Sequence, residues 1–427
     1  MKKLSKKIFD VYTNILNEEL ILALGCTEPI AIALACAKCV DTLGKRPDSI
    51  EINVSGNIIK NVQGVIIPGT KNLRGVELSG ILGMVVGEPK KQLEILQDIS
   101  KEQIDEAVRL NEQGMCKVNH KKTKAKLYIE IIMKKEQESA LVEVMHLHTN
   151  ITKIEKNGER IAYNPCQEDD FNSSLTDRTL LSVKKILEYA DNVDIETIEP
   201  IFKNQVEHNL KIVQEGLNNN YGLNTGKILL KHAHGSVKEK MKAYAASGSD
   251  ARMSGCDLPV VINSGSGNQG LTITSPIYIY AKEMNIREER QYRSLAVANL
   301  VPIHIKTRIG RLSAFCGAIT AGIGVGCAIT YLNGGTLKNI EDTIKNGLAN
   351  LTGVICDGAK PSCAMKIASS VDAAMMSYQL AIESKAVEAG TGIIYNTAEE
   401  TIENVANIAS DAMTQTDELI LKIMTDR

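Results

Sequence analysis

The sequence predicts an α+β fold, in which an N-terminal unit with a small sheet precedes a mainly helical unit. Helical periodicity opens the chain, alternating β-branched segments follow within the first 165 residues, and helical spacing with glycine-rich breaks dominates from about residue 176. At 427 residues the chain exceeds the size at which a single hydrophobic core stops growing, so its length is compatible with two packed units or with one large two-layer fold. The change of pattern along the chain favours two units. We therefore expect an α+β domain over residues 1–165 and a mainly helical domain over residues 176–427.

Two helices are predicted to open the first unit. Residues 4–24 show helical periodicity and stop at Gly25, a residue suited to the position just past a helix end. A second helix is expected to begin near Pro29, since proline is tolerated in a first turn, and to continue through AIALACAKCV. A helical pattern returns over residues 91–112.

Strands are predicted between and after these helices. Residues 50–67 (IEINVSGNIIKNVQGVII) alternate and are rich in β-branched side chains, as strands are. Further strands are expected at residues 126–134, 140–148 and 151–155, which together would form a small sheet flanked by helices. After Asn164-Pro165, the polar run CQEDDFNSSLTD is typical of a linker or loop.

The stretch from Leu312 to Leu332 contains no charge and is long enough for a membrane span. Its glycines dilute the hydrophobicity, and no second candidate span accompanies it. We therefore expect a buried helix or helix pair and no membrane partner. Its small residues would let another backbone or a bulky inorganic group come close. These small residues are Gly317, Ala321, Gly322 and Gly326.

Composition excludes several classes of protein. Hydrophobic residues make up 44% of the chain and charged residues 23%, as in an ordinary globular protein rather than a disordered one. Lys and Arg total 49 against 51 Asp and Glu, and there is no Trp and only four Phe, so nucleic acid is not an expected partner. The basic start reads as an amphipathic helix rather than a secretory signal, and ten cysteines then favour a reducing, cytoplasmic location.

Three late cysteines, Cys316, Cys356 and Cys363, lie in apolar segments that contain glycine. A four-iron cluster needs thiolates that converge from separate segments. Asp357-Gly358 and Lys360-Pro361 predict a tight loop that bends the last two cysteines onto one metal centre. Taken alone, the spacing also fits structural cysteines, because a free cysteine commonly behaves as a small buried hydrophobe.

Cys26 lies in the motif Gly25-Cys26-Thr27-Glu28-Pro29, at the entrance to the second predicted helix. Unpaired backbone N–H groups and the helix dipole favour an anion there, so we expect a thiolate at neutral pH. Cys26 would then be a competent base or nucleophile. A buried thiol beside a helix N-cap fits the same residues equally well.

The remaining cysteines and the histidine pairs give weaker signals. Cys36 and Cys39 form a CxxC ten residues into an apolar helix, which does not predict thioredoxin-like chemistry. Structural burial is expected for Cys116, Cys166, Cys256 and Cys327. No carboxylate set accompanies the two HxH pairs, so a zinc site is not expected. These pairs are His146 with His148 and His232 with His234.

The segment SGSGNQG supplies hydroxyls, amides and exposed backbone N–H groups ahead of an apolar run. Such a loop suits a carboxylate or phosphate by nest or helix-terminus geometry, although a solvated turn fits it too. It lacks the spacing of a P-loop. The candidate substrate-binding residues are Ser264, Ser266, Asn268 and Gln269.

In combination, GCTEPIAIA, SGSGNQG, AFCGA and CDGAKPSC resemble the L-cysteine desulfidase family over essentially the whole chain. That family is related, through its helical domain, to the iron–sulfur L-serine dehydratases, and it converts L-cysteine to hydrogen sulfide, ammonia and pyruvate with a [4Fe–4S] cluster. The resemblance implies that Cys316, Cys356 and Cys363 hold the cluster and that Cys26 accepts the proton. The serine dehydratases carry a further cysteine at the extreme C-terminus. This chain ends LILKIMTDR, which fits an iron left open for substrate and puts serine dehydratase activity in doubt.

The resemblance therefore implies β-elimination from an amino acid at an open iron, with Cys26 as general base. From the composition of the loop, we expect residues 264–269 to anchor the substrate carboxylate. Three alternatives stay open. The chain is also compatible with a serine dehydratase-like deaminating lyase, a pyridoxal phosphate lyase or a non-enzymatic iron–sulfur sensor. The sequence leaves a homo-oligomer open as well.

Overall fold

The computed structural model describes residues 5–172 and 175–426. A six-stranded sheet lies in the N-terminal part and helices dominate the rest, which confirms the predicted α+β class. The elements of the first part are α1 (Lys6–Glu19), β1 (Leu22–Leu24), α2 (Thr27–Leu43), β2 (Ser49–Val54), α3 (Gly56–Gln63), α4 (Val76–Val86), α5 (Lys101–Glu112), β3 (Cys116–His120), β4 (Tyr128–Lys135), β5 (Glu138–Met145), β6 (Ile151–Lys156) and β7 (Glu159–Tyr163).

The second part contains eleven α-helices and one short strand within the described residues. They are α6 (Val183–Asn192), α7 (Ile195–Asn218), α8 (Thr225–Lys231), α9 (Val237–Met253), β8 (Pro259–Val261), α10 (Gly267–Glu283), α11 (Glu288–Ile309), α12 (Gly317–Leu332), α13 (Leu337–Leu351), α14 (Cys363–Ile382), α15 (Ala398–Asn407) and α16 (Met413–Thr425). The predicted linker after Asn164-Pro165 falls partly outside the described residues.

The large sheet has the strand order β3-β2-β4-β5-β6-β7. The β2–β3 pair is parallel and the other pairs are antiparallel. Ile129, Ile131 and Met133 alternate along β4 and are fully buried, because successive strand side chains point to opposite faces. The strands predicted at 126–134, 140–148 and 151–155 are confirmed as β4, β5 and β6 with small shifts at their ends. Strands β3 and β7 were not predicted from the sequence. The helix predicted over residues 4–24 ends at Glu19, because residues 22–24 form β1, and the α-helix predicted over residues 91–112 begins at Lys101.

The prediction of a strand over residues 50–67 was wrong for the second half of this segment. The strand ends at Val54, and α3 begins at Gly56. Ile58 and Val62 are four residues apart and both fully buried, so helical spacing places them on one face. In such a short apolar segment, the same residues fit both the alternation of a strand and the spacing of a helix. Helix α3 also packs against α16, and this contact cannot be predicted from the local sequence.

Each of the two buried cores contains residues from both sides of the predicted domain boundary. Tyr12, Ile15 and Leu16 of α1 pack into the core of the helical part, whereas Ile212 and Leu271 pack into the core around the sheet. The short strand β1 pairs antiparallel with β8, which joins the two parts directly. The boundary between residues 1–165 and 176–427 stays a prediction.

Helix α12 is the buried apolar helix expected for the uncharged stretch. A Cβ atom at Gly324 would lie 2.4 Å from the carbonyl oxygen of Ala298 on α11, and one at Gly322 would lie 2.8 Å from that of Ser370 on α14. Neighbouring backbones therefore approach closely, as the small residues predicted. None of the helices in residues 5–172 and 175–426 combines the length and apolar character needed to cross a membrane.

Candidate active site

A cavity of about 100 Å³ lies between the two cores, where the N-terminal ends of four helices meet. Cys26 and Cys316 occupy the N-cap positions of α2 and α12, Ser266 occupies that of α10, and Cys363 is the first residue of α14. Helix N-termini carry partial positive charge, so the cavity favours anionic groups. Seven of the eight predicted site residues line it. These seven are Cys26, Ser266, Asn268, Gln269, Cys316, Cys356 and Cys363.

A short antiparallel pairing of their segments brings Cys316 and Cys356 to the same cavity. Phe315 and Ile355 form an isolated bridge. The backbone N–H of Cys316 donates to Val354 O at 3.3 Å, and that of Cys356 donates to Ala314 O at 2.6 Å. These bonds join residues about forty positions apart, so the pairing is not visible in the sequence.

Cys363 returns to the cavity through the loop that the sequence predicted. Gly358 has φ 97°, and a Cβ atom there would lie 2.4 Å from Lys60 O on α3, so this position requires glycine. Asp357 braces the loop through ion pairs with Lys360 and, at 2.7 Å, with Lys366. Burial opposes ionisation of Asp357, but these two lysines lower its pKa to about 2.

The three late thiols influence one another electrostatically. Burial, together with negative charge at Cys356 and Cys363, raises the pKa of Cys316 to about 12. Burial also raises the pKa of Cys363, so in the free protein the sulfurs of Cys316 and Cys363 favour the protonated form. A metal centre is what converts such thiols to thiolates, because coordination displaces the proton.

Across the described residues, no three His, Cys, Asp or Glu side chains are grouped to hold a single metal ion. An iron–sulfur cluster makes a different demand, since each cysteine binds a different iron. Three thiols from separate segments in one small cavity match this demand. The donor set therefore fits a cluster rather than a mononuclear metal.

Cys26 is 2% exposed, and its thiol donates a hydrogen bond to Glu28 Oε2 at 3.0 Å. Burial and the negative charge of Glu28 raise the pKa of Cys26 well above its ordinary value, although Arg252 acts in the opposite direction. The expected thiolate is therefore not the form that this environment favours. Burial and the neighbouring carboxylate outweigh the helix dipole, on which the prediction relied.

Glu28 is a buried carboxylate that the sequence analysis quoted but gave no role. Besides Cys26, it accepts hydrogen bonds from Thr27 Oγ1 at 3.2 Å and Asn61 Nδ2 at 3.1 Å. Nε2 of His148 lies 3.7 Å from its Oε1. Burial opposes ionisation, but His148 and the Cys26 thiol stabilise the carboxylate and bring the pKa of Glu28 to about 2. Its position in the first turn of α2 was the available signal, because acidic residues are favoured there.

The loop before α10 is a tight turn closed by backbone hydrogen bonds in both directions between Asn263 and Ser266. Ser264 and Gly265 have φ values of 49° and 79°, the left-handed pair of a type I′ turn. The Ser264 hydroxyl donates to Asn263 Oδ1 at 2.9 Å, and the residue borders a neighbouring smaller cavity. The structure therefore does not bring Ser264 to the cysteines, in contrast to the prediction for it.

Asn268 and Gln269 differ in how they are held. Gln269 Oε1 accepts a hydrogen bond from Thr320 Oγ1 at 3.2 Å, which fixes it against α12. The side-chain oxygen of Asn268 is buried and has no hydrogen-bond partner among the described residues. Of these two amides, Asn268 is the one whose side-chain oxygen has no hydrogen-bond partner in the described part of the chain.

Three cations at the cavity were missed by the sequence analysis. Arg311 donates two hydrogen bonds of 2.8 Å to Glu19, and Lys306 donates to Arg311 O at 3.1 Å. Burial lowers the pKa of Lys306 to about 8. Arg252 is also buried. Arg252 lies more than fifty residues before Lys306 and Arg311, and no motif spacing links the three.

Other predicted residues lie away from the cavity. His146 Nε2 is 2.7 Å from Gln167 O, and the rings of His232 and His234 are 6.4 Å apart at their centroids. Cys36 and Cys39 are buried within α2. A larger cavity, of about 1030 Å³, shares Arg311 and Leu312 with the cysteine cavity but is lined by no cysteine.

Residues 90–422 match the model of the serine dehydratase alpha chain family. The chain is 46% identical over 419 residues to a UPF0597 protein of Lachnoclostridium phytofermentans, which covers 98% of this chain and 99% of that protein. A UPF0597 protein of Fusobacterium nucleatum is 45% identical, with 96% and 97% covered, and one of Treponema denticola is 43% identical, with 99% of each covered. These names state no reaction. The relatives include the segment around Cys26, which precedes the stretch matched by the family model.

Proposed function

Since the chain belongs to the serine dehydratase alpha chain family, we propose that it is an iron–sulfur lyase that releases hydrogen sulfide from L-cysteine by β-elimination. The other products are ammonia and pyruvate. The observation that carries the proposal is the meeting of Cys26 with Cys316, Cys356 and Cys363 around one cavity. We expect the reaction in the cytoplasm, where thiols are kept reduced.

In this proposal, Cys316, Cys356 and Cys363 hold a [4Fe–4S] cluster. The N-termini of α12 and α14 stabilise the negative charge of their thiolates. When bound, the cluster supplies a Lewis-acidic iron without a protein ligand, which favours departure of the substrate sulfur. The ion pairs of Asp357 with two lysines keep the loop between Cys356 and Cys363 in place.

Cys26 is the residue that we propose accepts the α-proton of the substrate. Its thiol already carries a proton, which it shares with Glu28 Oε2 across 3.0 Å. Transfer of that proton to the carboxylate would free Sγ to take the proton from Cα, so the two residues act as one proton-accepting unit. Burial of both side chains excludes water from this exchange.

Ser266, Asn268 and Gln269 remain the proposed substrate-binding residues on α10 and its N-cap. They face the cavity at a helix N-terminus, where a carboxylate is favoured. Ser264 is not proposed for this role, because its hydroxyl bonds to Asn263.

L-Serine is the second candidate substrate, because the matching family is named for serine dehydratase. Serine differs from cysteine by offering a harder oxygen leaving group. Assays of pyruvate formation from both amino acids, side by side, would establish which is preferred.

Anaerobic purification followed by iron, sulfide and product assays tests the proposal. A brown protein with about four iron and four sulfide per chain that forms pyruvate and hydrogen sulfide from L-cysteine would support it. A yellow, iron-free and active protein would identify a pyridoxal phosphate enzyme instead. A protein that binds iron but converts neither amino acid would favour a sensor.

A further inference from the structure

Arg252, near the end of α9, is a buried cation without a counter-ion in the part of the chain that the structure describes. It is 2% exposed, and its Nε has no hydrogen-bond partner there. Within the described residues, its guanidinium donates one weak hydrogen bond, from Nη1 to Met253 Sδ at 4.0 Å. Burial of a guanidinium without a paired anion is energetically unfavourable, so a bound anion would stabilise Arg252.

Two other arginines, the buried Arg178 and the partly buried Arg311, have carboxylate partners. Arg178 forms ion pairs of 2.8 Å with Glu18 and with Glu19, and Arg311 donates two hydrogen bonds to Glu19. Arg252 lines the cysteine cavity but has no such carboxylate. The charge of Glu28 acts on it without an ion pair between them.

The guanidinium of Arg252 lies against the first residue of α10. A Cβ atom at Gly267 would lie 2.3 Å from Arg252 Nε and 2.8 Å from its Cζ, so only glycine allows this approach. No side chain caps the N-terminus of α10. A cation beside the positive end of a helix is unfavourable, and a bound anion would relieve both groups at once.

The next residue, Asn268, is a buried hydrogen-bond acceptor without a donor in the described part of the chain. Its buried Oδ1 accepts no hydrogen bond within the described residues, and it borders the same cavity. A buried carbonyl oxygen without a donor is destabilising, whereas an ammonium group would satisfy it. A cation that lacks an anion and an acceptor that lacks a donor therefore stand at one helix end.

We infer that Arg252 and the N-terminus of α10 bind the α-carboxylate of the substrate, and that Asn268 Oδ1 accepts a hydrogen bond from its α-ammonium. A zwitterionic α-amino acid is the ligand class that satisfies both groups. The inference rests on the proposed function for taking the ligand to be an amino acid. Arg311 and Lys306 do not fill this role, because Glu19 and Arg311 O already engage them.

Binding of L-alanine, which has no leaving group, tests the inference without turnover. Calorimetry on the anaerobic, cluster-loaded protein should show that Arg252→Gln binds L-alanine about 30-fold or more weakly than the wild type. Arg252→Lys, which keeps the charge but loses the planar fork, should recover part of the affinity. Arg290→Gln removes an exposed arginine on α11 and should bind as the wild type does.

Gly267→Ala gives a second variant in case Arg252→Gln does not fold. It retains the guanidinium but displaces it, and it should also weaken L-alanine binding. Iron content should match the wild type in every variant, since none of the changed residues is a proposed cluster ligand.

A comparison of cysteamine, which lacks the carboxylate, with L-cysteine separates this inference from the proposed function. The wild type should prefer L-cysteine to cysteamine. In Arg252→Gln the KM for L-cysteine should rise, so that most of this preference is lost. An active Arg252→Gln enzyme with wild-type KM and wild-type L-alanine affinity would overturn the carboxylate site and leave the lyase intact. Arginine-dependent binding of L-alanine by a protein that releases no product would refute the lyase and keep the site.

Discussion

The thiol of Cys26 lies 3.0 Å from the carboxylate of Glu28, within the first turn of α2. Their environments act in opposite directions on their pKa values. Burial and the carboxylate charge raise the pKa of Cys26, whereas His148 and the thiol itself overcome the effect of burial and lower that of Glu28. The proton therefore resides on sulfur, and any base function of Cys26 involves Glu28.

Replacement of Cys26 by Ala should abolish turnover without loss of iron. We expect kcat to fall by about 10² to 10⁴, the range that a positioned acid–base group supplies. Activity and iron assays on the same preparation measure both effects. Cys39→Ala, a matched change deeper in α2, should leave kcat near the wild-type value. Wild-type sulfide release by Cys26→Ala would exclude this residue as the base.

Glu28→Gln retains the shape of the side chain but removes the charge that receives the Cys26 proton. We expect kcat to fall by about 10², with a smaller change in KM and a shifted pH profile. Rate measurements across the pH range would report this. Glu28→Asp should recover part of the rate, and an unchanged pH profile in Glu28→Gln would mean that Glu28 is only structural.

Single changes of Cys316, Cys356 or Cys363 to Ala should each remove the brown colour and most of the iron, because each thiolate binds its own iron. Iron analysis and visible absorption on anaerobically purified protein measure the loss. Cys327→Ala provides the control, since Cys327 lies on α12, the helix that Cys316 caps, but is buried away from the cavity. Retention of a full cluster by any of the three variants would remove that cysteine from the ligand set.

Glu19→Gln should destabilise the protein at neutral pH. The carboxylate is 4% exposed and pairs with Arg178 and Arg311, and the loss of one partner from a buried ion pair costs about 3 to 5 kcal/mol. Urea unfolding of the wild-type and variant apoproteins at pH 7 measures this difference. Glu138→Gln, at an exposed ion pair, should cost far less.

The contribution of Glu19 should also depend on pH. Burial opposes its ionisation, but the two arginines hold its pKa below the ordinary range. The unfolded chain then binds more protons near the ordinary value of about 4.3, so this stability is present above that pH and is lost below it. The difference between wild type and Glu19→Gln should shrink as the pH falls below about 4. A constant difference would contradict the assigned charge state.

Local sequence was enough to predict the parts of the site that depend on short segments. Gly358 and the residues beside it predicted the turn between Cys356 and Cys363, and the position of Cys26 at a helix entrance followed from Gly25 and Pro29. The buried character of α12 followed from its uncharged, glycine-rich sequence. Each of these signals lies within a few residues of the feature that it predicts.

The remaining features arise from contacts between distant segments. Glu28 is surrounded by Asn61 and His148, and Arg252 meets Gly267, so neither environment can be read from neighbouring residues. The same applies to α1, whose periodicity predicted a helix but not its place in the helical core. The pKa of Cys26 was misjudged because burial is a property of the folded chain.

The pairing of β1 with β8 also bears on the order of events during synthesis of the protein. Translation proceeds at about 5 to 20 residues per second, and early segments fold first only when their partners already exist. Strand β1 must wait for a partner more than 230 residues later, and Cys363 emerges later still. Under the proposed function, the cluster could therefore be completed only after Cys363 has been synthesised, and products shortened before that point would lack one of the proposed ligands.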